Sequence, residues 1–416
     1  MKTYLKIAKS VNDLRRFIKE IIDYSEYTIR EVPLTSQDSW GIIDGILSHK
    51  SKGFFQVTGL EEQGDSQIQQ LILYQPQSAL TGLIIHKLED DIFVLLQARV
   101  EPGNTGIIQY GPTIQSTPAN YLKLHGGKAT SYISYFTGFE DGANLITHSM
   151  QHDLGKRYFQ KSKTHHYIEV DSLIDTDENM IWASLRDISS LCHEDNLVNA
   201  DLRSLLSVFN WDSLTNKQFN NPADVDSIFL PSVRSKKYKL TKLEKLRNWK
   251  LDQIGISPLG SEKDYVRMFE FCCRNREVSK WTQPLYCVHG RGLVQLVVKE
   301  ENNDYYFLVS IAEECGISTN YAFYPTYFAY PGEDQNAIVG CHILSEMIQC
   351  DEGGRFYQND SLYQLLKPTN NFNKNNTQIW VSIAQLKGLL SASNICSFQL
   401  RCISSMILPI LNPSLA

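Results

Sequence analysis

The sequence contains no apolar run long enough to cross a bilayer, and it has little excess charge of either sign. A membrane-spanning helix needs about 18 uninterrupted apolar residues, but residues 83–100 are interrupted by the polar group from His86 to Asp91. The net charge of −6, from 40 Lys and Arg and 46 Asp and Glu, gives no overall attraction to phosphate backbones or anionic lipids. We therefore expect neither a membrane nor a nucleic acid as a partner.

Cysteine motifs and targeting signals are also missing. The nine cysteines form no CxxC pair, and all except Cys192 lie after residue 270, so neither a zinc site nor a disulfide framework is indicated. The first residues lack the apolar core of a signal peptide and have the charge spacing of an amphipathic helix. These absences predict a cytoplasmic protein with reduced, mostly buried thiols.

The common phosphate-binding motifs are absent as well. No GxGxxG motif follows a strand-like run, and no GxxxxGK[ST] motif occurs. The sequence therefore gives no basis for a nicotinamide-dependent dehydrogenase or a P-loop enzyme.

What the sequence does contain is an internal repeat. The aspartate, glycine, arginine and aromatic residue of HDLGKRYFQ, residues 152–160, recur with the same spacing in CDEGGRFYQ, residues 350–358. The same offset relates Trp182 to Trp380 and Arg203 to Arg401. Further upstream, YQP at 74–76 and VLLQARVEPG at 94–103 resemble TQP at 282–284 and FLVSIAEECG at 307–316. Register kept over four blocks predicts a tandem duplication.

Each copy is predicted to be an α+β unit. Residues 92–100, IFVLLQARV, are β-branched and apolar and are followed by turn residues and a further short run, which indicates antiparallel strands. The block from Trp182 has apolar residues at helical spacing and then a strand-like run. We therefore predict mostly antiparallel or mixed sheets with flanking helices, in a first repeat over residues 1–215 and a second repeat over residues 251–416.

Residues 216–250 between the copies are predicted to be a basic linker. The stretch from Arg234 to Lys250 carries eight Lys or Arg and one Glu. Such a run is typical of a solvated linker or helix face, and a phosphate-binding surface is the less favoured interpretation.

A metal site is not favoured either. His148 and His152 are four residues apart with Asp153 adjacent, as metal ligands on one helix face would be. The matching positions in the second copy are Glu346 and Cys350. We therefore predict no bound metal.

The two copies differ most within residues 94–127 of the first. Gln97, Arg99 and Gln115 correspond to Ser310, Ala312 and Phe328, whereas Glu101 and Thr113 correspond to Glu314 and Thr326. Residues common to both copies are expected to be scaffold, and residues present only in the first copy are expected to belong to a site. The first copy is therefore the predicted place of an active pocket.

The polar residues of this block have alternative interpretations. Gln97, Arg99 and Glu101 alternate, so on a strand they share one face, which is either the wall of a polar pocket or a solvated sheet surface. The hydroxyls and amides of TIQSTPANY, residues 113–121, suit sugar hydroxyls or phosphate oxygens, or else a hydrogen-bonded turn. His125, before two glycines, could transfer a proton near neutral pH or be structural.

At this point the sequence resembles a known family. Residues 93–127, FVLLQARVEPGNTGIIQYGPTIQSTPANYLKLHGG, together with DLGKRYF at 153–159 and DNLVNADLRSLLSVF at 195–209, resemble the NDP-hexose 2,3-dehydratases of deoxysugar biosynthesis. REVSKWTQPL at 276–285 also fits, as does the spaced pattern of Trp40, Gly45, His49, Lys52, Phe54, Phe55 and Gly59. The resemblance runs from about residue 38 to the end of the chain.

The resemblance implies two tandem Nudix-like domains without the glutamate-rich signature of Nudix hydrolases, which this chain lacks. It implies a lyase that eliminates water across C2 and C3 of a dTDP-linked 4-keto-6-deoxyglucose. The product would be a 3,4-diketo-2,6-dideoxy sugar nucleotide, which a separate 3-ketoreductase consumes, and a homodimer is implied as well. Because the C4 ketone acidifies the C3 hydrogen, one base, one acid and donors to the C4 oxygen suffice, with no cofactor and no metal.

The region of resemblance supplies the candidate site residues. The proton-transfer candidates are Glu101, Tyr121 and His125. The candidates for substrate binding are Trp40, Gln97, Arg99, Thr113, Gln115, Ser116, Thr117, Asn120, Gly126, Asp153, Arg157, Trp281 and Arg355. Both arginines of the repeated motif could pair with the diphosphate or form structural ion pairs. Both tryptophans could stack on the substrate or lie in the core.

The chain departs from the family in its second half. Family members usually retain a recognisable QAR and PTxQ motif there, whereas this chain has lost its Gln, Arg and Gln. The intact first-half block is therefore the predicted active pocket, and a nucleotide site in the second half is put in doubt. A non-catalytic nucleotide-sugar binding protein is the alternative prediction.

Overall fold

The computed structural model describes residues 4–36, 39–89, 91–124, 126, 128–138, 140–215, 222–223, 236–260, 264–274, 276, 278–319 and 321–415. These ranges contain eight α-helices and 25 strands. The helices are α1 (Val11–Tyr24), α2 (Pro118–Tyr121), α3 (Ile133–Thr137), α4 (Leu185–Leu191), α5 (Ala200–Val208), α6 (Ile383–Ser391), α7 (Phe398–Ser404) and α8 (Leu408–Leu411).

The strands fall into two series along the chain. The first series is β1 (Thr28–Val32), β2 (Trp40–Ile43), β3 (Ile46–His49), β4 (Gln56–Glu62), β5 (Asp65–Tyr74), β6 (Ala79–Leu88), β7 (Asp91–Val100), β8 (Ile108–Gly111), β9 (Ile114–Ser116), β10 (Ala143–His152), β11 (Ser162–Val170) and β12 (Met180–Ser184). The second series is β13 (Tyr238–Thr241), β14 (Trp249–Leu251), β15 (Gly255–Pro258), β16 (Tyr265–Cys272), β17 (Lys280–Cys287), β18 (Gly292–Glu301), β19 (Asp304–Ala312), β20 (Ala322–Tyr324), β21 (Tyr327–Ala329), β22 (Cys341–Cys350), β23 (Phe356–Tyr357), β24 (Asp360–Pro368) and β25 (Gln378–Ser382).

Each half has one large sheet, and the two large sheets share one strand order. In the first large sheet the order is β10-β11-β6-β7-β12, with β8 paired to β7 and β9 to β6. In the second large sheet it is β22-β24-β18-β19-β25, with β20 paired to β19 and β21 to β18. The pairs β11 with β6 and β24 with β18 are parallel, whereas neighbours such as β10 with β11 are antiparallel. The architecture is therefore α+β with mixed sheets, as predicted.

The two small sheets exchange a strand between the halves. The first small sheet consists of β2 to β5 and β13, which pairs antiparallel with β4 so that Thr241 faces Gly59. The second small sheet consists of β14 to β17, β23 and β1, whose Thr28 faces Cys272 of β16. Each half therefore donates its leading strand to the small sheet of the other half.

Part of the predicted basic linker belongs to this exchange. The described residues 236–250 include β13 and the start of β14, and the remainder of 216–235, apart from residues 222 and 223, lies outside the described residues. Lys239 of β13 pairs with Glu61 at 2.9 Å, and Lys236 with Glu62 at 3.1 Å. Some of the basic side chains thus face carboxylates of the first small sheet.

Two glycines allow backbone contact between the halves. Gly103 N donates to Gly353 O at 2.7 Å, and Gly316 O accepts from Gln160 N at 2.6 Å. A Cβ on Gly103 would lie 1.6 Å from Phe356 O, and one on Gly316 would lie 1.7 Å from a backbone oxygen of the first half. Only glycine permits such an approach.

One part of the sequence-level match is out of register. Leu73 N donates to Arg157 O at 2.9 Å, and Tyr286 N donates to Arg355 O at 2.7 Å, so Leu73 and Tyr286 occupy equivalent places. The match of YQP at 74–76 with TQP at 282–284 is therefore wrong. YQP begins at the last residue of β5 and TQP lies within β17, and three residues carry too little information to fix a register.

The helices confirm one prediction and correct another. Helix α1 is the predicted amphipathic helix: Ser10 caps it by accepting from Asp13 N, and its buried residues lie on one face. The strand expected after the Trp182 block is wrong, because those residues form α5, in which all nine residues are buried. Because α5 is buried on every side, its polar residues do not mark a solvent-exposed face, and the helical period is not evident from the sequence.

Three further predictions concern metals, thiols and membranes. His148 and His152 lie on β10 and not on a helix, and no three His, Cys, Asp or Glu side chains of the described residues form a group suited to a metal ion. All nine cysteines are free thiols, as predicted, and six of them are buried. None of the helices in the described ranges is long and apolar enough to cross a membrane.

Candidate active site

A cavity of about 400 Å³ is lined by residues of both halves. The first half contributes residues near β2 and β3, β7, β9, α2 and β11, and the second half contributes β17 and the loop before β23. The lining residues are Ser39, Trp40, His49, Phe54, Phe55, Ala79, Arg99, Glu101, Pro102, Gln115, Ser116, Thr117, Asn120, Leu124, Lys161, Lys163, Asp201, Arg276, Val278, Lys280, Trp281, Thr282, Gln283, Glu352, Gly354 and Arg355. The pocket that the sequence assigned to the first repeat is therefore completed by the second.

One wall is the polar cluster at the end of β7. Arg99 Nε donates to Glu101 Oε1 at 3.2 Å, and Arg99 Nη1 donates to Gln97 Oε1 at 3.0 Å. Gln115 Nε2 of β9 donates to the same Glu101 oxygen at 2.7 Å, and Asn104 Nδ2 donates to the other at 3.1 Å. The alternating side chains of β7 do share one face, as strand periodicity predicts. Gln97 supports Arg99 without itself lining the cavity.

Beside this wall, the start of α2 brings short polar side chains to the cavity. Thr117 is the N-cap residue of α2, and Ser116, Thr117 and Asn120 all line the cavity. Tyr121 of the same helix does not line it, and neither does Gly126, which is exposed. His125 lies outside the described residues.

Aromatic side chains form a second wall. Trp40 Nε1 donates to Thr282 O at 2.9 Å, and the Trp40 ring meets those of His49 and Phe55 at 5.4 and 5.2 Å. Trp281 Nε1 donates to Gln283 Oε1 at 2.9 Å. Both tryptophans thus have their polar atoms satisfied by protein, and both rings line the cavity.

Buried charged groups form the floor. Lys163 Nζ lies 2.7 Å from Asp201 Oδ1 and 3.3 Å from both Asp153 Oδ2 and Glu352 Oε2. Burial opposes the charge of Lys163, but these carboxylates hold its pKa well above the usual value. Burial raises the pKa of Asp201 to about 6, against the attraction of Lys163.

A second lysine of the floor has a different environment. Lys161 Nζ donates to the neutral Gln75 Oε1 at 3.0 Å, and it forms no ion pair within the described residues. Burial lowers the pKa of Lys161 to about 7, and repulsion from Arg355 acts in the same direction. Arg355 itself pairs with Glu352 at 2.6 Å. The floor therefore holds one amine that is charged and another that loses its proton near neutral pH.

Besides Gln97 and Gly126, three predicted binding residues lie away from the cavity lining. Thr113 Oγ1 donates to Leu95 O at 2.5 Å and accepts from Ile84 N at 2.9 Å, which ties strands of the first large sheet together. Asp153 is buried behind Lys163. Arg157 forms an ion pair with Asp264 and donates to Pro331 O at 3.2 Å. Of the two interpretations of this arginine, the structural ion pair is therefore the one observed. Arg355, in contrast, lines the cavity.

The corresponding place in the second half is filled by aromatic rings. Phe328, which replaces Gln115, stacks on Tyr324 with the ring centroids 4.5 Å apart and meets Tyr330 at 5.9 Å. Burial raises the pKa of Glu314, the counterpart of Glu101. The replacements thus remove polar donors and also occupy the space that the first half leaves open.

Sequence reasoning missed most of the floor. Lys161, Lys163, Asp201 and Glu352 were not among the candidates, although all four line the cavity. The alternation of lysines in QKSK, residues 160–163, was a usable signal, because residues two apart on a strand share a face. No local pattern joins Asp201 or Glu352 to them, since these come from a distant helix and from the other half.

Together, the fold and the cavity define an α+β protein in which acidic, basic, polar and aromatic side chains from both halves of the chain line one cavity. Donors on one wall can hold a carbonyl or hydroxyl oxygen, aromatic rings can flank a planar or apolar group, and the floor can exchange a proton. Such a site suits proton abstraction beside a carbonyl.

The model of the NDP-hexose 2,3-dehydratase family matches residues 11–209 and 231–407, and the chain belongs to this family. It is 26% identical over 425 residues to a dTDP-4-dehydro-6-deoxy-alpha-D-glucopyranose 2,3-dehydratase of Amycolatopsis orientalis, covering 95% of this chain and 89% of the relative. A relative with the same name from Streptomyces violaceoruber is 25% identical, and the match covers 82% of this chain and 84% of the relative. Another from Saccharopolyspora spinosa is also 25% identical, and the match covers 85% of this chain and 82% of the relative. The resemblance found in the sequence is thereby confirmed.

Proposed function

We propose that this protein is a hydro-lyase that eliminates water across C2 and C3 of a dTDP-linked 4-keto-6-deoxyglucose. Family membership and the names of the relatives support the reaction. One observation on this chain supports the proposal. A single cavity contains both the polar wall of Arg99, Glu101 and Gln115 and a floor that can exchange a proton. The product would be a 3,4-diketo-2,6-dideoxy sugar nucleotide.

The polar wall is proposed to receive the C4 oxygen. Removal of the C3 proton moves negative charge onto that oxygen, and donors already in place stabilise the charge without reorganising. Arg99 and Gln115 supply such donors, and Glu101 holds both of them by accepting their hydrogen bonds. Because Glu101 already accepts three hydrogen bonds, we assign it a positioning role rather than that of the base.

The nucleotide is proposed to bind across the boundary between the halves. Arg355 Nε is buried and has no hydrogen-bond partner among the described residues, so it can donate to a diphosphate oxygen. Arg276 and Lys280 add positive charge on the second-half side of the cavity. The rings of Trp40 and Trp281 can flank the base or the sugar.

Several finer points are proposed with this function. We infer that each half is a Nudix-like domain, with the repeats at residues 1–215 and 251–416 and a basic linker at 216–250. A homodimer, a cytoplasmic location and a separate 3-ketoreductase that consumes the product remain predictions. The matching order of the two large sheets supports the tandem arrangement.

The test is a coupled incubation of the purified protein with dTDP-4-keto-6-deoxyglucose, a 3-ketoreductase and NADPH, analysed by mass spectrometry. The reductase captures the unstable diketo product, so the expected result is a sugar nucleotide that has lost water and gained two hydrogens. Binding of the same substrate without any dehydrated product would favour the alternative, a non-catalytic nucleotide-sugar binding protein.

A further inference from the structure

We propose that Lys161, acting as a neutral amine, is the base that removes the C3 proton from the substrate. The inference rests on the proposed function and deepens it by naming a catalytic residue. Lys161 lines the same cavity as Arg99 and Gln115, so a sugar bound in this cavity can meet all three groups. Lys161 is buried, with only 2% of the residue exposed, which restricts its amine to the floor.

The hydrogen bonds of Lys161 leave its amine free to react. Its one hydrogen-bond partner among the described residues is Gln75 Oε1, which accepts a hydrogen bond but carries no charge. Gln75 Oε1 also accepts from Arg355 Nη2 at 3.1 Å, so this oxygen is fixed from two sides. When Lys161 is neutral it donates one hydrogen to Gln75 and directs its lone pair elsewhere, which is the state that a base requires.

The charged groups around Lys161 come from several elements. Arg355, from the loop before β23, and Lys163 of β11 oppose a positive charge on Lys161, whereas Asp153 of β10 and Glu352 favour it. Both carboxylates are already engaged by Lys163, and Glu352 is also engaged by Arg355. The Tyr158 ring lies 5.5 Å from the amine. Burial together with the two cations outweighs the carboxylates, and the pKa of Lys161 falls to about 7.

The contrast between the two lysines supports the assignment. Lys163 has three carboxylate partners and stays charged, so it cannot accept a proton. Lys161, two residues away in sequence, has none among the described residues. Neighbouring groups whose environments drive their pKa values apart are a recurrent arrangement in acid–base sites. In the second half the position equivalent to Lys161 is Asn359, which cannot act as a base.

The step balances in protons and electrons. The lone pair of Lys161 Nζ takes the C3 proton, and the electrons of the C–H bond form an enolate whose charge lies on the C4 oxygen. The enolate expels the C2 hydroxyl, which leaves as water after taking a proton from the Lys161 ammonium. The amine is neutral again, the C2–C3 enol becomes the diketone, and no oxidant or reductant is needed.

The first experiment compares the wild type with Lys161→Met and Lys161→Arg in the coupled assay. Met keeps the alkyl stem without the amine, and Arg keeps the positive charge without a usable lone pair. Both variants should lose at least about 100-fold in kcat, the usual contribution of a positioned base. In the wild type, kcat/KM should rise with pH through about 7 and then level off, and both variants should lack that rise.

Controls keep the result interpretable. Lys19→Met, at an exposed position of α1, should match the wild type. Near wild-type turnover by Lys161→Arg would overturn the proposal, because it would mean that Lys161 acts only through its charge. Unchanged turnover by Lys161→Met would overturn it as well. Failure of the wild type itself to dehydrate the substrate would instead count against the proposed function.

A second measurement does not depend on turnover. The lysines are reductively methylated with 13C-formaldehyde, and the methyl signal missing from Lys161→Met is followed by NMR from pH 5 to 10 with dTDP present or absent. A signal that titrates near pH 7 supports the proposal, and one that titrates near 10 contradicts it. Sodium borohydride added with substrate provides a further check, because a covalent adduct on Lys161 would show imine formation and not proton abstraction.

Discussion

Folding shifts the protonation equilibrium of Lys161 towards the neutral amine. The ordinary pKa of a lysine is 10.5, and burial lowers that of Lys161 to about 7. Between those two pH values the unfolded chain binds a proton that the folded protein does not. The free energy of unfolding therefore rises with pH across this window and is level below it. Proton-transfer chemistry near neutral pH is thus obtained at some expense in stability.

Lys161→Met should therefore stabilise the protein at pH 7. The variant removes a buried amine whose protonation favours the unfolded chain, so its midpoint of thermal unfolding should exceed that of the wild type. The gain should shrink as the pH approaches 10, where the unfolded chain also begins to lose the proton. Circular dichroism melts at pH 7, 8, 9 and 10 measure this. A gain that stayed constant with pH would show that Lys161 is protonated in the fold.

Gln115 offers a test of the polar wall. Its amide joins Glu101 at 2.7 Å to Asn199 at 3.1 Å, so Gln115→Ala removes a donor and releases two neighbours. We expect kcat to fall by about 100-fold or more, as with other oxyanion donors. Phe328→Leu, at the equivalent position of the second half, is the matched variant and should change kcat little. Equal losses at both positions would argue for two working sites.

The sequence predicted one wall of the site but not its floor. Gln97, Arg99 and Glu101 could be placed on one face because they lie on β7 or directly after it, where alternation is a local property. The contact between Lys163 and Glu352 joins residues from different halves, and only the tertiary fold brings them together. Thr113 was predicted to bind substrate, but its hydroxyl instead forms hydrogen bonds with the backbone of neighbouring strands.

At the scale of elements, periodicity identified helices with an exposed face and failed for buried ones. Helix α1 buries one side and exposes the other, so its pattern was readable. Helix α5 is buried throughout and packs against α7, where Arg401 Nε donates to Ser204 Oγ at 2.7 Å. Its strand-like appearance came from that burial and not from any strand propensity.

Gly103→Ala tests the contact between the two halves. The new Cβ would lie 1.6 Å from Phe356 O, and a backbone oxygen cannot move aside as a flexible side chain can. We expect a loss of about 1–3 kcal/mol in the free energy of unfolding, the range for overpacked sites. Gly41→Ala in β2 is the matched variant, because no atom lies within 4 Å of its added Cβ. Urea unfolding of both variants measures the difference, and equal stabilities would contradict the predicted clash.

At the scale of the whole molecule, the halves should not fold separately. A fragment of residues 1–215 lacks β13, which pairs with β4, and it also lacks the second-half residues of the cavity. We expect each fragment alone to show no cooperative unfolding and no dTDP binding by calorimetry, and coexpressed fragments 1–215 and 236–416 to recover both. Tight dTDP binding by the first fragment alone would show that the second half is not needed for the site.

The repeated motifs were visible in the sequence, but the strand exchange was not. Repeated motifs fix which residues are equivalent, whereas β1 and β13 are short and could pair with either small sheet on sequence grounds alone. The linear division into two repeats therefore describes the order of the chain better than the composition of the sheets.

The exchanged strands also determine when each small sheet can be completed during translation. As the chain leaves the ribosome, β1 emerges long before its partner β16, and β4 must wait for β13 before its sheet is complete. The leading strand of the protein therefore spends much of translation with an unpaired edge, a state that invites aggregation. Pairings between such distant segments also slow folding, because a long loop must close first. We expect the yield of active protein to depend on chaperones and on growth temperature more than its final stability would suggest.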